Sequence, residues 1–313
     1  MLVFVVAIGS ALWNLKRGIA VAASPAASVG PLRAILPPPA NADHFNFYTL
    51  WLDNNPQPDL GIHAQAAYLV DLDTRMVMWE RDPESMRPPA SLTKMVTAMV
   101  AVDDAGSLDK TIEVPKAATE VFPSLMGLTA GEHLTVREVL YGLFLPSGND
   151  AAETLASSIV PRDRFIRQMN QKAKAIGLTS THFVNPTGFD EPGHGMSAHD
   201  LARVAGYLDE YYPELAAIAA TKDEAILSTE THKAYYPHNL NLLLWDYPGA
   251  TGLKTGLTDG AGSCVVATAT RDGRHLVAVT MNDNGHTFGD AEILLDYGFS
   301  KTTPVSLGSL KSP

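Results

Sequence analysis

The 313-residue chain contains one cysteine, Cys264. A lone thiol excludes an intrachain disulfide and a cysteine-ligated zinc site. Its setting, "SCVVATAT", reads as a strand, so Cys264 is expected to be a small buried core residue. Basic residues are also few: 23 Lys and Arg stand against 34 Asp and Glu, a net charge of -11. That balance argues against a nucleic-acid partner, which calls for a basic face. It also means that an anionic substrate needs a local positive site. His182, His194 and His199 lie close together but match no H-x-x-x-H spacing, so capping or surface roles are expected for them. No internal repeat is present. The apolar run "LVFVVAIGSALW" (2–13) is too short to span a membrane comfortably.

That run has the length of a signal-peptide core, and the small residues of "AVAASPAAS" (20–28) offer a cleavage site. Lys16 and Arg17 follow the run instead of preceding it. The expectation is a signal peptide or N-terminal anchor over 1–25, an exported chain in the cell envelope, and membrane association through this segment only. Residues 26–60, with "LPPPA" at 36–40, read as a Pro/Ala-rich linker. A globular domain is expected over 61–300. The tail at 301–313 is too short for a further domain.

The rest of the composition, 46% hydrophobic and 18% charged, is that of an ordinary globular protein. "AQAAYLVDLDT" and "RMVMWERD" read as two strands joined by a turn near Asp73. Helical periodicity follows in "SLTKMVTAMV", "TVREVLYGLFL", "AAETLASSIV", "PRDRFIRQMNQKAKAIG" and "SAHDLARVAGYLDEYYP", with "TIEVP" a short strand. The last third returns to strands, "GATGLKTGL", "SCVVATATRD" and "RHLVAVTMND". The latter two join across the hairpin signal "RDGR", and "FGDAEILLDYGF" closes as a helix. Strands at both ends with helices between predict an α+β fold, one sheet assembled from the two ends of the chain.

Three short stretches carry chemistry. In "PPASLTKMVTAMV", Ser91 and Lys94 are three apart on one helix margin. A serine hydroxyl needs a base to become a nucleophile. A lysine serves as one when burial and a nearby cation lower its pKa. The serine's backbone N–H at a helix start is also placed to hold an oxyanion. In "PSGNDAA", Ser147 and Asn149 lie in a turn between helices, with Asp150 expected to cap the second. In "TGLKTGLT", Lys254 and Thr255 sit in a strand before Gly256, which allows close backbone approach. Alone, Lys254 equally suits an edge strand guarded against aggregation.

S-x-x-K, S-x-N and K-T-G in this order form the active-site set of penicillin-binding proteins and serine β-lactamases. "PASLTKMVTA", "LFLPSGNDAAETLA", "THFVNPTGFD", "GMSAHDLA", "GLKTGLTDGAGSCVVATA" and "LLDYGF" together resemble the low-molecular-weight D-alanyl-D-alanine carboxypeptidases. The resemblance implies a penicillin-binding, β-lactamase-like transpeptidase fold, with an antiparallel sheet flanked by helices and a mostly helical subdomain inserted. It implies Ser91 as acylated nucleophile, Lys94 as its base, Ser147 as proton relay and Asn149 as a substrate and Lys94 contact. Lys254 would keep the pocket positive and hold Ser147. Thr255 would bind the terminal carboxylate, beside Gly256, and the N–H groups of Ser91 and Leu257 would form the oxyanion hole. The implied partners are a peptidoglycan stem peptide and β-lactams as covalent inhibitors, with no metal or organic cofactor.

Two departures stand out. Thr287, in "TFGDA", occupies the place where relatives often carry a carboxylate-binding arginine, with His286 beside it. The short end leaves no room for the β-rich domain that many such carboxypeptidases add. Relatives without that module include D,D-endopeptidases, the alternative activity here. A class A β-lactamase needs a glutamate in an E-x-x-x-N setting after S-x-N. Only Glu153 follows closely, within the next helix. A catalytically silent cell-wall binding protein is opposed by the presence of every motif residue.

Overall fold

Residues 66–71, "AAYLVD", are buried without exception. A strand needs such a run when both faces of its sheet are covered. The computed structural model describes residues 46–301. The expected signal or anchor segment, the first part of the expected linker and the end of the tail lie outside the described residues.

The chain order is α1 (Leu50–Asn54), β1 (Ala66–Asp71), β2 (Met76–Arg81), α2 (Lys94–Ala105), β3 (Thr111–Glu113), β4 (His133–Thr135), α3 (Val136–Phe144) and α4 (Asn149–Ser158). It continues with α5 (Arg162–Ala175), α6 (Ala198–Tyr211), α7 (Pro213–Ala219), α8 (Leu243–Asp246), β5 (Ala250–Thr258), β6 (Gly262–Arg271), β7 (Arg274–Asp283) and α9 (Thr287–Phe299). The main sheet runs β2-β1-β7-β6-β5, and all its pairs are antiparallel. Strands from the two ends of the chain meet at its centre, where Ala66 faces Met281 and Asp71 faces Leu276. This is the α+β plan expected from the element order. β3 and β4 form a separate two-stranded ribbon.

The period-two pattern of the strands divides the core. Ala66, Tyr68 and Val70 pack with α2, α3, α4 and α6 on one face. Ala67 and Leu69 pack with Ala291, Leu294 and Leu295 of α9 on the other. The β6–β7 hairpin turns at Asp272 and Gly273, with φ of 51° and 77°. Positive φ at both central residues is what a tight hairpin requires. A capping box between Thr135 and Glu138 starts α3, and Gly106 in the left-handed region (φ 70°) ends α2.

The stretch read as a linker is partly folded. α1 falls inside it, Tyr48 bridges Met76, and the Trp79 indole donates to the carbonyl of Pro58 at 3.0 Å. The Pro/Ala count suggested an extended tether. The apolar "FYTLWL" within it found a place against β2. Among the described residues no helix is long and apolar enough to cross a membrane.

Candidate active site

Ser91 does not start the α-helix, as the periodicity suggested. It lies in a 3-10 turn, Ala90–Thr93, and α2 begins at Lys94. The difference matters because side chains at i and i+3 of a 3-10 turn eclipse one another. The Lys94 ammonium therefore arrives directly over the hydroxyl, with Nζ 2.7 Å from Ser91 Oγ. Leu92, Met95, Val96 and Met99 are fully buried and fix the segment.

Lys94 is itself fully buried, and it finds three acceptors for three N–H groups. These are Ser91 Oγ (2.7 Å), Asn149 Oδ1 (2.7 Å) and the carbonyl of Thr187 (2.9 Å). Burial holds its pKa well below that of an ordinary lysine, and the Lys254 charge pushes the same way. Asp150 and Glu153 oppose the shift more weakly.

Ser147 adopts a left-handed backbone (φ 60°), uncommon for a residue with a Cβ. At Gly148 a Cβ would lie 2.7 Å from the Asp150 carboxylate and 2.9 Å from the Gly142 carbonyl, so only glycine fits. Asn149 is the first residue of α4. Its Nδ2 donates to the Phe122 carbonyl at 2.9 Å, which turns Oδ1 towards Lys94. Asp150 does not cap α4 in the expected way. Its carboxylate accepts from the backbone N–H groups of Met126, Gly127 and Leu128 at 2.8–2.9 Å, and from Ala151. It clamps the loop that Asn149 leans on.

Lys254 lies on the edge strand β5 but is buried, so it is no solvent-facing guard. Its Nζ donates to Ser147 Oγ (2.9 Å) and to the carbonyl of Thr255 (3.0 Å). Burial lowers its pKa to about 7. At Gly256, a Cβ would stand 3.0 Å from Ala90 Cβ and 3.1 Å from Ser91 N, so β5 and the Ser91 turn touch without a side chain between them.

These groups surround a cleft of about 460 Å³, lined by Ser91, Ser147, Asn149, Thr255, Leu257 and Thr287 among others. The sequence-predicted residues thus converge. Thr287 also reaches the cleft. Its hydroxyl is paired with that of Thr280 at 2.7 Å, which leaves a neutral wall there. Cys264 is buried as expected, and burial pushes its thiol up to about 11.

The loop Val184–Gly188 lies in the "THFVNPTGFD" stretch that carries the family resemblance, but sequence reasoning gives it no role in the site. Asn185 Oδ1 accepts from Thr187 N, Thr187 Oγ1 and Gly188 N at 2.7–3.2 Å, and so presents the Thr187 carbonyl to Lys94. Gly188 (φ 91°) presses on Ala90, where a Cβ would come within 1.8 Å of its carbonyl. The signal was "NPTG", a turn-forming string between helices. His194, read as a capping or surface residue, is buried against Thr93.

The D-alanyl-D-alanine carboxypeptidase family profile matches residues 53–285. D-alanyl-D-alanine carboxypeptidase DacB2 of Mycobacterium tuberculosis is 35% identical over 83% of this chain and 92% of its own length. DacF of Bacillus subtilis is 33% identical over 80% of this chain, which spans 65% of that longer protein. A D-alanyl-D-alanine endopeptidase of Escherichia coli is 30% identical over 81% of this chain and 83% of its own. Among solved structures, a Streptomyces DD-transpeptidase superimposes with a TM-score of 0.73 at 29% identity, covering 79% of this chain and all of that one. By sequence and by fold, this chain belongs to the D-alanyl-D-alanine carboxypeptidase family.

Proposed function

We propose that this protein is a serine-type D-Ala-D-Ala carboxypeptidase that removes the terminal D-alanine of peptidoglycan stem peptides. The observation that carries this reading is the 2.7 Å contact between Lys94 Nζ and Ser91 Oγ, with Lys94 fully buried. Burial, and the Lys254 charge beside it, lower the lysine pKa and so favour the neutral amine that a general base must be. Lys94 takes the Ser91 proton as Oγ attacks the carbonyl of the penultimate D-alanine. The backbone N–H groups of Ser91 and Leu257 hold the oxyanion. Ser147, hydrogen-bonded to Lys254, passes a proton to the leaving amine, and the terminal D-alanine departs. Water then adds to the acyl-enzyme and frees Ser91. Asn149 aligns the substrate amide, and Thr255, beside Gly256, takes the terminal carboxylate. β-Lactams acylate Ser91 by the same attack. The place of action is the cell envelope, with segment 1–25 serving for export or anchoring.

Glu153 is held by Arg162 through contacts of 2.7 and 2.9 Å, which suits it to structure and not to the water-activating role of a β-lactamase glutamate. A second reading, D,D-endopeptidase, is favoured by one observation. The cleft wall at Thr287 offers a hydroxyl already paired with Thr280, and no cation, to a terminal carboxylate. Labelled penicillin should mark the wild type and not Ser91→Ala. Labelling that survives the substitution overturns the assignment. Incubation with a D-Ala-D-Ala pentapeptide and with cross-linked muropeptides separates the two activities. Free D-alanine from the first without cleavage of the second supports the carboxypeptidase.

A further inference from the structure

The His194 ring is buried between two segments that the mechanism brings together at Lys94, the Ser91 turn and the Val184–Gly188 loop. On one side the backbone N–H of Val184 donates to Nδ1 at 3.1 Å. A ring nitrogen that accepts carries no proton, so the proton sits on Nε2. Nε2 lies 2.8 Å from Thr93 Oγ1, across 101 residues of sequence, and donates to it. The ring also packs edge-on against Phe183, with centroids 5.7 Å apart. Burial lowers its pKa to about 4, with His182 adding to the shift and Asp190 opposing it, so the neutral tautomer is the resident form.

Both partners matter. Thr93 is fully buried, two residues after Ser91 and one before Lys94. Val184 opens the loop whose Thr187 carbonyl is the third acceptor of the Lys94 ammonium. That loop is shaped internally by Asn185, and Thr97 Oγ1 ties it to α2 through the Pro186 carbonyl at 2.7 Å. Among the described residues, the His194 ring is the hydrogen-bonded link between its first residue and the turn that bears the nucleophile.

We propose that His194 is a positioning residue, which sets the Thr187 carbonyl against Lys94 and the Ser91 turn through paired hydrogen bonds to Val184 and Thr93. The proposal rests on the reading of Ser91 as nucleophile and Lys94 as base. Without the ring, the loop and the turn lose their register. Lys94 then loses an acceptor that favours its charged form, so its titration moves to lower pH while the attack geometry loosens. The charged groups that act on Lys94, namely Lys254, Asp150 and Glu153, stay in place.

The test is stopped-flow acylation of the full-length protein by a fluorescent penicillin, from about pH 5 to pH 10, with melting curves alongside. The variants are His194→Ala, His194→Asn and His194→Gln. Asparagine places an oxygen near Nδ1 and keeps the Val184 bond. Glutamine places an N–H near Nε2 and keeps the Thr93 bond. His194→Ala should acylate about 10- to 100-fold more slowly, as expected for sub-ångström displacement of reacting groups, with the rising limb of the pH profile at lower pH. His194→Asn and His194→Gln, which each keep one of the two bonds, should fall between wild type and His194→Ala in both rate and limb. Rate constants within about twofold of wild type in the alanine variant overturn the proposal. So do losses that track the melting temperature while the limb stays fixed. A wild type that penicillin does not acylate at all refutes the acyl-enzyme reading instead.

Discussion

Replacing Gly256 by alanine tests whether substrate chemistry takes place between β5 and the Ser91 turn. The glycine φ is not in the left-handed region, so alanine is allowed by the backbone. The cost is one of space: the new methyl would stand 3.0 Å from Ala90 Cβ, 3.1 Å from the Pro89 carbonyl and 3.1 Å from Ser91 N. Overpacking of this kind destabilises by about 1–3 kcal/mol. Alanine recovers about 0.5–1 kcal/mol of the penalty that glycine carries within a strand. The net loss is therefore on the order of 1 kcal/mol, a fall in melting temperature of about 2–4 °C for a domain of this size. The effect on chemistry should be much larger. A methyl against Ser91 N obstructs the proposed oxyanion donor, and the loss of one such donor costs about 10²- to 10³-fold in rate. Gly256→Ala should thus remain folded and acylate with penicillin at least about 100-fold more slowly. Stopped-flow fluorescence and a thermal melt on the same sample provide both numbers. A variant that melts a few degrees lower yet acylates at the wild-type rate would refute the placement of the oxyanion between Ser91 and β5.

Lys254→Met should abolish D-alanine release and also raise stability. Between about pH 7 and 10.5 the unfolded chain holds a proton that native Lys254 has released, so wild-type stability climbs with pH across that window. The stability gain from methionine should then be largest at or below neutral pH and shrink towards pH 10, as read by melts across pH. The residual acylation limb should move to higher pH, because the charge that helps depress Lys94 is gone. Thr287→Arg should lower KM for a D-Ala-D-Ala pentapeptide about tenfold and leave the amidated peptide unchanged, since only the free carboxylate gains a charged hydrogen bond. Asp150→Asn leaves the N–H groups of Met126, Gly127 and Leu128 short of acceptors and should cost about 1–3 kcal/mol in a denaturant titration.

The pattern of β5, β6 and β7 was legible because each strand alternates or runs apolar between clear turns, and the glycine of "RDGR" marked the hairpin. Ser91, Lys94, Ser147, Asn149 and Lys254 were legible as types at spacings, and the fold brings them within hydrogen-bond reach. What was hidden was mostly backbone. The Thr187 carbonyl has no side-chain signature, so a lysine acceptor made from it leaves no trace in the residue type. Asp150 follows a turn and looks like a cap. Its carboxylate instead serves a loop more than twenty residues earlier, a long-range choice that local rules do not contain. His194 was misread for the same reason, since its partners are distant in sequence. α1 lies within the Pro/Ala-rich stretch because one short apolar string there packs on β2, a tertiary contact that composition does not register.

The central pairing of β1 with β7 has a consequence for the order in which the molecule is made. Ala66 cannot take its place beside Met281 until nearly the whole domain has been synthesised. Lys254, 107 residues further along the chain, likewise can come to Ser147 only after the stretch between them has been synthesised. Such distant pairings slow folding, and their unpaired edges are exposed while they wait. A nascent or truncated chain would therefore carry Ser91 and Lys94 without the cation and strand that complete the site. Hydrolytic competence arrives at the end of folding, together with the closure of the sheet.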